Sequence, residues 1–333
     1  MTYNIFYITA IMKYKKLIIF CKGNSVTGGS ELVHQLCHEL SNLNLKSYIC
    51  YYPFHNNYEI PNEYSIYNLE QCDLEDDPEN IIILPEVATK FAWGIKKSKI
   101  GIWWLSVDNY YRKKRDNFFK DQIKYLKDLI RLRLMPIFLM KKYLHFVQSK
   151  YAYDHLKNQN LSPDYLSDYL NPIHFRENKV VKENIILYNP VKGKKVTQKL
   201  INDNKDFNFI ALEKLTNKQV QELFNRAKLY IDFGNHPGKD RMPREAVMAN
   251  CCIITGVRGS AKNNIDIPIL TKYKFNDQEL IDNNLFRSLV ISIFSNYAEN
   301  LFNFTDYKKS IINEKTIFQN QVKNIFTKIL YEK

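Results

Sequence analysis

Three cations fall close together between Asp232 and Ala246: Lys239, Arg241 and Arg244. Gly234, Gly238, Pro237 and Pro243 share the segment. That mix breaks regular structure, so the segment connects one element to the next. Ala246, Val247, Met248 and Ala249 follow, and this small, apolar run reads as a buried helix. Cations at the start of a helix oppose its dipole. A bound anion explains them better, and a diphosphate fits. His236 stands in the same loop. Glu245, one turn into the helix, can accept two hydroxyl hydrogen bonds from a ribose or a sugar.

Three other turns carry similar chemistry. Gly28-Gly29-Ser30-Glu31 separates an apolar strand from a helix. It reads either as an anion cradle at a helix start or as a capped helix after a tight turn. It is not G-x-G-x-x-G, and no acidic residue closes the second strand, so a dinucleotide site is poorly supported. Asn189-Pro190-Val191-Lys192-Gly193 brings Lys192 to another helix start, as a phosphate contact or as a common turn. Gly256-Val257-Arg258-Gly259-Ser260 offers Arg258 to a sugar or base, or is only a turn. Among carboxylates, Asp108 and Glu86 each follow an apolar strand, and Glu31 is a third candidate. Each reads as a proton acceptor, a helix cap or a sugar-binding group. His34, His38, His145 and His155 read as structural.

These turns need a frame, and the apolar pattern supplies one. Strands read at 16–22, 46–52, 81–85, 99–106 and 144–148, with helices at 30–43, 87–97, about 114–135 and 149–158. Polar residues near 170–183 interrupt the pattern as a linker. Alternation then restarts with strands at 184–188, 207–211, 228–233 and 252–255, and helices at 194–203, 216–226 and 242–250. Short apolar strands alternating with helices mean an α/β fold with parallel sheets. Two Rossmann-like halves result, and ligands bind beyond the carboxyl ends of such strands. The tail after 276 reads as helical, with Ile311, Phe318, Val322, Ile325 and Ile329 on one face that must pack on something.

At 333 residues the chain is long enough for two domains, and with 45% hydrophobic residues it is not disordered. Glycine is scarce: most of its 10 residues sit in the turns just named. The net charge of +13 attracts phosphate, whether in nucleic acid, an anionic membrane or a nucleotide. Residues 112–142 hold 11 Lys and Arg against 3 Asp, with Lys120, Lys124, Lys127 and Arg131 in one stripe. Phe119, Ile123, Leu126, Ile130 and Leu134 form an adjacent apolar stripe. This suits an anionic membrane surface, or else a core-facing helix with a solvated basic face. Nucleic acid is disfavoured, because no nucleic-acid fold signature is present. The six cysteines show no metal-ligand spacing and read as reduced thiols in a cytosolic protein. No signal peptide or spanning helix is read, and residues 1–11 read as an extension ahead of the fold.

The order of these motifs resembles a GT-B glycosyltransferase. Gly28–Glu31 comes early, Asn189–Gly193 follows the linker, and His236-Pro-Gly-Lys-Asp-Arg-Met-Pro-Arg-Glu-Ala246 precedes an apolar helix. The nearest resemblance is to bacterial capsule and lipopolysaccharide-type enzymes with a family 1-like donor domain. It implies two Rossmann-like domains whose parallel sheets face a central cleft, with a C-terminal helix packing back. The domains would be 12–170 for the acceptor and 184–310 for the nucleotide-sugar donor, followed by a helix at 311–333. It implies transfer of a sugar from a nucleotide-diphosphate donor to a lipid-linked glycan in surface polysaccharide synthesis. The enzyme would be cytoplasmic and peripheral on the inner membrane face through residues 112–142. Gly28, Gly29, Lys192, His236, Lys239, Arg241, Arg244, Glu245 and Arg258 would bind the donor. Asp108, ahead of Glu86, would serve as base or acceptor anchor. No metal or other cofactor is implied, since basic residues and a helix start stabilise the leaving diphosphate. One departure stands out: many retaining members carry two glutamates eight residues apart, and Pro237 occupies the first position here. Inversion or retention of the anomeric centre is therefore open. The rival readings are a nucleotide-sugar epimerase on the same architecture and a non-catalytic glycan- or membrane-binding protein.

Overall fold

The computed structural model of the chain describes residues 12–111, 118–175, 180–280 and 283–331. The first half is built on strands β1 (Lys16–Lys22), β2 (Ser47–Tyr52), β3 (Asn80–Pro85), β4 (Lys99–Trp104), β5 (Leu144–Val147) and β6 (Asp164–Tyr165). All pair in parallel in the order β2-β1-β3-β4-β5-β6. Helices α1 (Gly28–Asn42), α2 (Val107–Tyr111), α3 (Phe118–Arg131) and α4 (Lys150–Lys157) connect them. Strand β3 is buried along its whole length, as a strand covered on both faces must be.

The second half carries strands β7 (Glu183–Tyr188), β8 (Asn208–Ala211), β9 (Ala227–Asp232), β10 (Cys252–Gly256) and β11 (Lys274–Phe275). Their order is β11-β10-β9-β7-β8, again all parallel. Its helices are α5 (Lys194–Asp203), α6 (Asn217–Arg226), α7 (Arg241–Met248), α8 (Asn283–Ser295) and α9 (Tyr297–Phe302). Lys182 closes the ends of two of them: its ammonium donates to the carbonyls of Phe224 and Ala249.

The last helix, α10 (Thr305–Tyr331), starts earlier than the expected 311 and leaves the half it follows. Its Phe318, Val322 and Phe326 join the core of the first half beside Trp103 and Phe146. Lys13 N–H closes the arrangement by donating to the Leu330 carbonyl at 2.9 Å.

Several local expectations change. The helix expected at 87–97 is a short 3-10 segment, Glu86–Trp93. Strands β6 and β11 are two residues each, too short for a periodic signal. Of the basic segment, 112–117 lies outside the described residues, as do the 1–11 extension and 176–179 of the linker. Side chains of 118–122 and Lys124, including Phe119 and Lys120 of the two stripes, are also outside them. Of the expected apolar stripe, Ile123, Leu126 and Ile130 are exposed, Ile130 at 82%, while Leu134, beyond the end of α3, is buried. The inward side is polar instead. Tyr125 bonds to Tyr110, and Asp128 is buried. No described helix is long and apolar enough to cross a membrane.

Candidate functional site

The carboxyl ends of β1, β3 and β4 open onto a cavity of about 430 Å³ between the two halves. Lys22, Glu86 and Ser106 line it from these strand ends, and Pro237, Gly238, Lys239 and Arg241 line it from the second half. Gly28 and Gly29 also line it, but they are not in a loop. They form the first turn of α1, because Thr27 is extended and its Oγ1 accepts from Ser30 N–H. The helix start thus meets the cavity with side chains that take up no space.

Gly238 is where the halves touch. A Cβ there would lie 2.2 Å from the Leu105 carbonyl oxygen and 2.8 Å from Gln148 Oε1. The next amide, Lys239 N–H, donates to that Gln148 oxygen at 3.1 Å. Only a residue without a side chain allows this approach. Asp266 adds a second link, accepting from the Lys150 and Tyr151 amides at the start of α4.

Beside this contact lies a charged quartet. Arg244 is 1% exposed, and its guanidinium bonds Asp168 at 2.5 Å and Glu314 at 2.7 Å. Lys239 bonds Glu314 at 2.7 Å and lies 3.9 Å from Asp168. Burial opposes the charge on Arg244, but Asp168 and Glu314 outweigh it and raise the pKa. The quartet joins the segment after β6, the start of α7 and the middle of α10.

Arg241 spans the halves as well. It donates to Glu31 at 2.9 Å and pairs with Glu245 at 2.6 Å. Burial works against its charge, yet Glu245 and Glu31 prevail and its pKa rises. Glu31 is held in turn by Tyr67 Oη and Asn171 Nδ2, each at 3.1 Å.

Behind the cavity, His236 is fully enclosed. Its Nδ1 lies 2.9 Å from Asp240 and its Nε2 lies 3.6 Å from Asp232. Lys192 bonds the same Asp240 at 2.5 Å. Burial would raise the Asp240 pKa, but His236 and Lys192 hold it at about 2. Burial would likewise discharge His236, but Asp232 and Asp240 raise its pKa. Among the described residues, Asp232, His236 and Asp240 are the one group whose donor atoms lie close enough to share a metal ion. An ion there would have to displace the Lys192 ammonium.

Glu86 is the titratable group best placed in the cavity. It is 2% exposed and accepts from Leu105 N–H at 3.0 Å. Burial pushes its pKa up to about 7 against the pull of backbone amides. A carboxyl group that titrates near neutrality can exchange a proton at working pH.

Solved structures share this architecture. The chain superposes on HepE of Anabaena in complex with UDP-glucose over 95% of its length and 99% of that chain, at TM-score 0.64 and 6% identity. It matches a glycosyltransferase from Rickettsia africae over 95% and 98%, at TM-score 0.62 and 13% identity. Sucrose-phosphate synthase of Thermosynechococcus elongatus matches over 95% and 99%, at TM-score 0.66 and 9% identity. The fold is GT-B. No protein-family model matches the chain, and no curated protein matches it in sequence.

Within this GT-B frame the predicted residues divide. Gly28, Gly29, Glu86, Lys239, Arg241 and Arg244 line the cavity. Asp108, Lys192, His236, Glu245 and Arg258 do not. Asp108 is buried and accepts from Tyr151 Oη and, across the halves, from Asn235 Nδ2 at 2.6 Å. Its neighbours Ser106 and Asn109 face the cavity in its place. Glu245 is turned to Arg241 rather than to an open hydroxyl site, and Arg258 pairs with Asp277. Arg244 touches the cavity, but Asp168 and Glu314 already balance its charge. Sequence reasoning missed Lys22, Gln148, Asp168 and Glu314. Glu314 did leave a signal, as a carboxylate on the apolar face between Ile311 and Phe318.

Proposed function

We propose that the protein is a glycosyltransferase that moves a sugar from a nucleoside-diphosphate donor to a glycan acceptor. The observation that carries this reading is the cavity between the halves. There the first turn of α1, with Gly28 and Gly29, faces Lys22, Lys239 and Arg241. Helix amides and Lys22 stabilise a diphosphate as it leaves with the bonding electrons, joined by Lys239 and Arg241 as they exchange their carboxylate partners Glu314, Glu31 and Glu245 for it. The neighbours' names agree, since HepE is seen with UDP-glucose and another neighbour is called a glycosyltransferase.

In this reading Glu86 takes the proton from the acceptor hydroxyl, which it can do once ionised above pH 7. Asp108 positions Asn235 and holds the halves in register. His236 and Lys192 act through Asp240 as positioning residues. Glu245 orients Arg241. The protein's own cations supply the positive charge, so the reading needs no metal.

The reading extends to a lipid-linked acceptor in surface polysaccharide synthesis, reached at the inner face of the cell membrane. Its support is α3, where exposed Ile123, Leu126 and Ile130 run beside exposed Lys127 and Arg131. Apolar side chains open to water on a basic helix suit an anionic bilayer surface.

A thermal-shift panel of UDP-, GDP- and dTDP-sugars tests the donor, with CMP-sugars, which carry a single phosphate, as the comparison. A true donor at a hundred times its Kd stabilises by about 2.7 kcal/mol, a shift of several degrees. If no nucleotide sugar shifts Tm and no nucleoside diphosphate is released, the transferase reading fails.

A further inference from the structure

Gln148 stands at a junction that fixes which way its amide points. It follows β5, its backbone N–H donates to the Trp104 carbonyl at 3.2 Å, and Ser149 after it caps α4. One end of its side chain is already engaged: Oε1 accepts the Lys239 N–H from the other half at 3.1 Å. A backbone N–H only donates, so the atom facing it must be the amide oxygen. The side chain cannot turn over without setting two donors against each other. Its NH2 group is therefore aimed away from Lys239.

That aim leads into the cavity. Gln148 lines it and is only 6% exposed, so bulk water is not its main surroundings. Among the described residues no acceptor receives a bond from Nε2, and Nε2 is not sealed in the core either. It is a held donor that the cavity reaches. Nε2 can only donate, which suits an oxygen that carries no hydrogen, and a phosphate oxygen is one. Lys22, Lys239 and the first turn of α1 gather round the same space.

We infer that Gln148 binds the diphosphate of the donor through Nε2 while its Oε1 holds the Lys239 amide. The inference rests on the transferase reading, which supplies the ligand. One side chain then ties the phosphate to both halves. Oε1 reaches Lys239 only where the halves meet at Gly238, so the NH2 group keeps its aim only in that arrangement. Diphosphate binding and the contact between the halves thus favour each other.

The test uses the full chain. UDP, GDP and dTDP are titrated at pH 8 by calorimetry, each beside its nucleoside. Gln148→Glu keeps an oxygen for the Lys239 N–H and replaces the NH2 group with a second oxygen. Gln148→Met keeps the volume and loses both bonds without adding charge. In each variant the Kd of the tightest-binding diphosphate should rise about tenfold or more, as expected for a lost hydrogen bond to a charged group. The matching nucleoside should bind as it does to wild type. Tm should hold in Gln148→Glu and fall in Gln148→Met, which separates the ligand contact from the tie between the halves. Should Gln148→Glu fail to fold, Gln148→Met carries the same affinity test. If a variant that folds binds the diphosphate as tightly as wild type, or loses nucleoside affinity equally, the inference is overturned and the donor reading stands. If no nucleoside diphosphate binds wild type, the transferase reading falls and takes this inference with it.

Discussion

Replacing Arg244 with methionine removes the cation at the centre of the buried quartet while keeping most of the side-chain volume. Asp168 and Glu314 then stay almost fully buried at the cavity wall. Breaking a buried ion pair from one side costs about 3–5 kcal/mol, because the orphaned charge has no compensation. Lys239 softens the loss: it remains 2.7 Å from Glu314 but only 3.9 Å from Asp168. The lower end of the range, about 3 kcal/mol, is therefore expected. At roughly 2 °C per kcal/mol for a chain of this size, Tm falls by about 6 °C. The logic is sharper in a second variant. Arg244→Met with Asp168→Asn leaves one lysine and one glutamate, a neutral pair, and should recover most of the loss. Differential scanning fluorimetry and urea unfolding at pH 7.5 measure both. A single-variant loss under about 1 kcal/mol, or a double variant less stable than the single, would refute the reasoning. The same result bears on function, since activity lost in Arg244 variants would report an unmade tether rather than a missing ligand contact.

The Glu86 carboxyl, raised to about 7, binds a proton in the fold at pH values where the unfolded chain has released it. Stability should thus decline as pH rises from about 4.5 to about 7, by on the order of 3 kcal/mol, and level off above. Glu86→Gln should flatten that slope and lower transfer by about a hundredfold or more, whereas wild-type transfer should rise through pH 7; an unchanged stability profile would contradict the assignment. Gly238→Ala drives a methyl into the Leu105 carbonyl, so it should cost about 1–3 kcal/mol and reduce transfer by separating the halves; wild-type Tm and rate would count against the contact. Ile123→Ser/Leu126→Ser/Ile130→Ser removes exposed side chains from α3, so Tm should hold while sedimentation with anionic vesicles is lost; undiminished binding to the vesicles would exclude the helix as anchor.

The sheets were legible because parallel strands buried on both faces must be apolar throughout, as 81–85 shows. The turn at 234–241 was legible because cations, glycines and prolines together have few structural uses. Pairing was not legible. Arg244 and its partners are 76 and 70 residues apart, and nothing in the chain marks that distance. Direction was not legible either. Asp108 and Glu86 each follow an apolar strand, but the fold turns one to Asn235 and the other to the cavity. The apolar stripe had the spacing of a core face, and only the fold reveals that within α3 Tyr125 and Asp128 take the inner side instead.

The return of α10 sets an order on how this molecule can be made. Trp103 stacks on Phe318, and Phe146 packs on Phe326, so the first sheet borrows its cover from the last helix. A ribosome delivers that helix only after the strands of both sheets. The half that is synthesised first is therefore the half that finishes last. A chain stalled before residue 314 leaves Trp103 uncovered and Arg244 without Glu314, so α10 must be made before either half is whole.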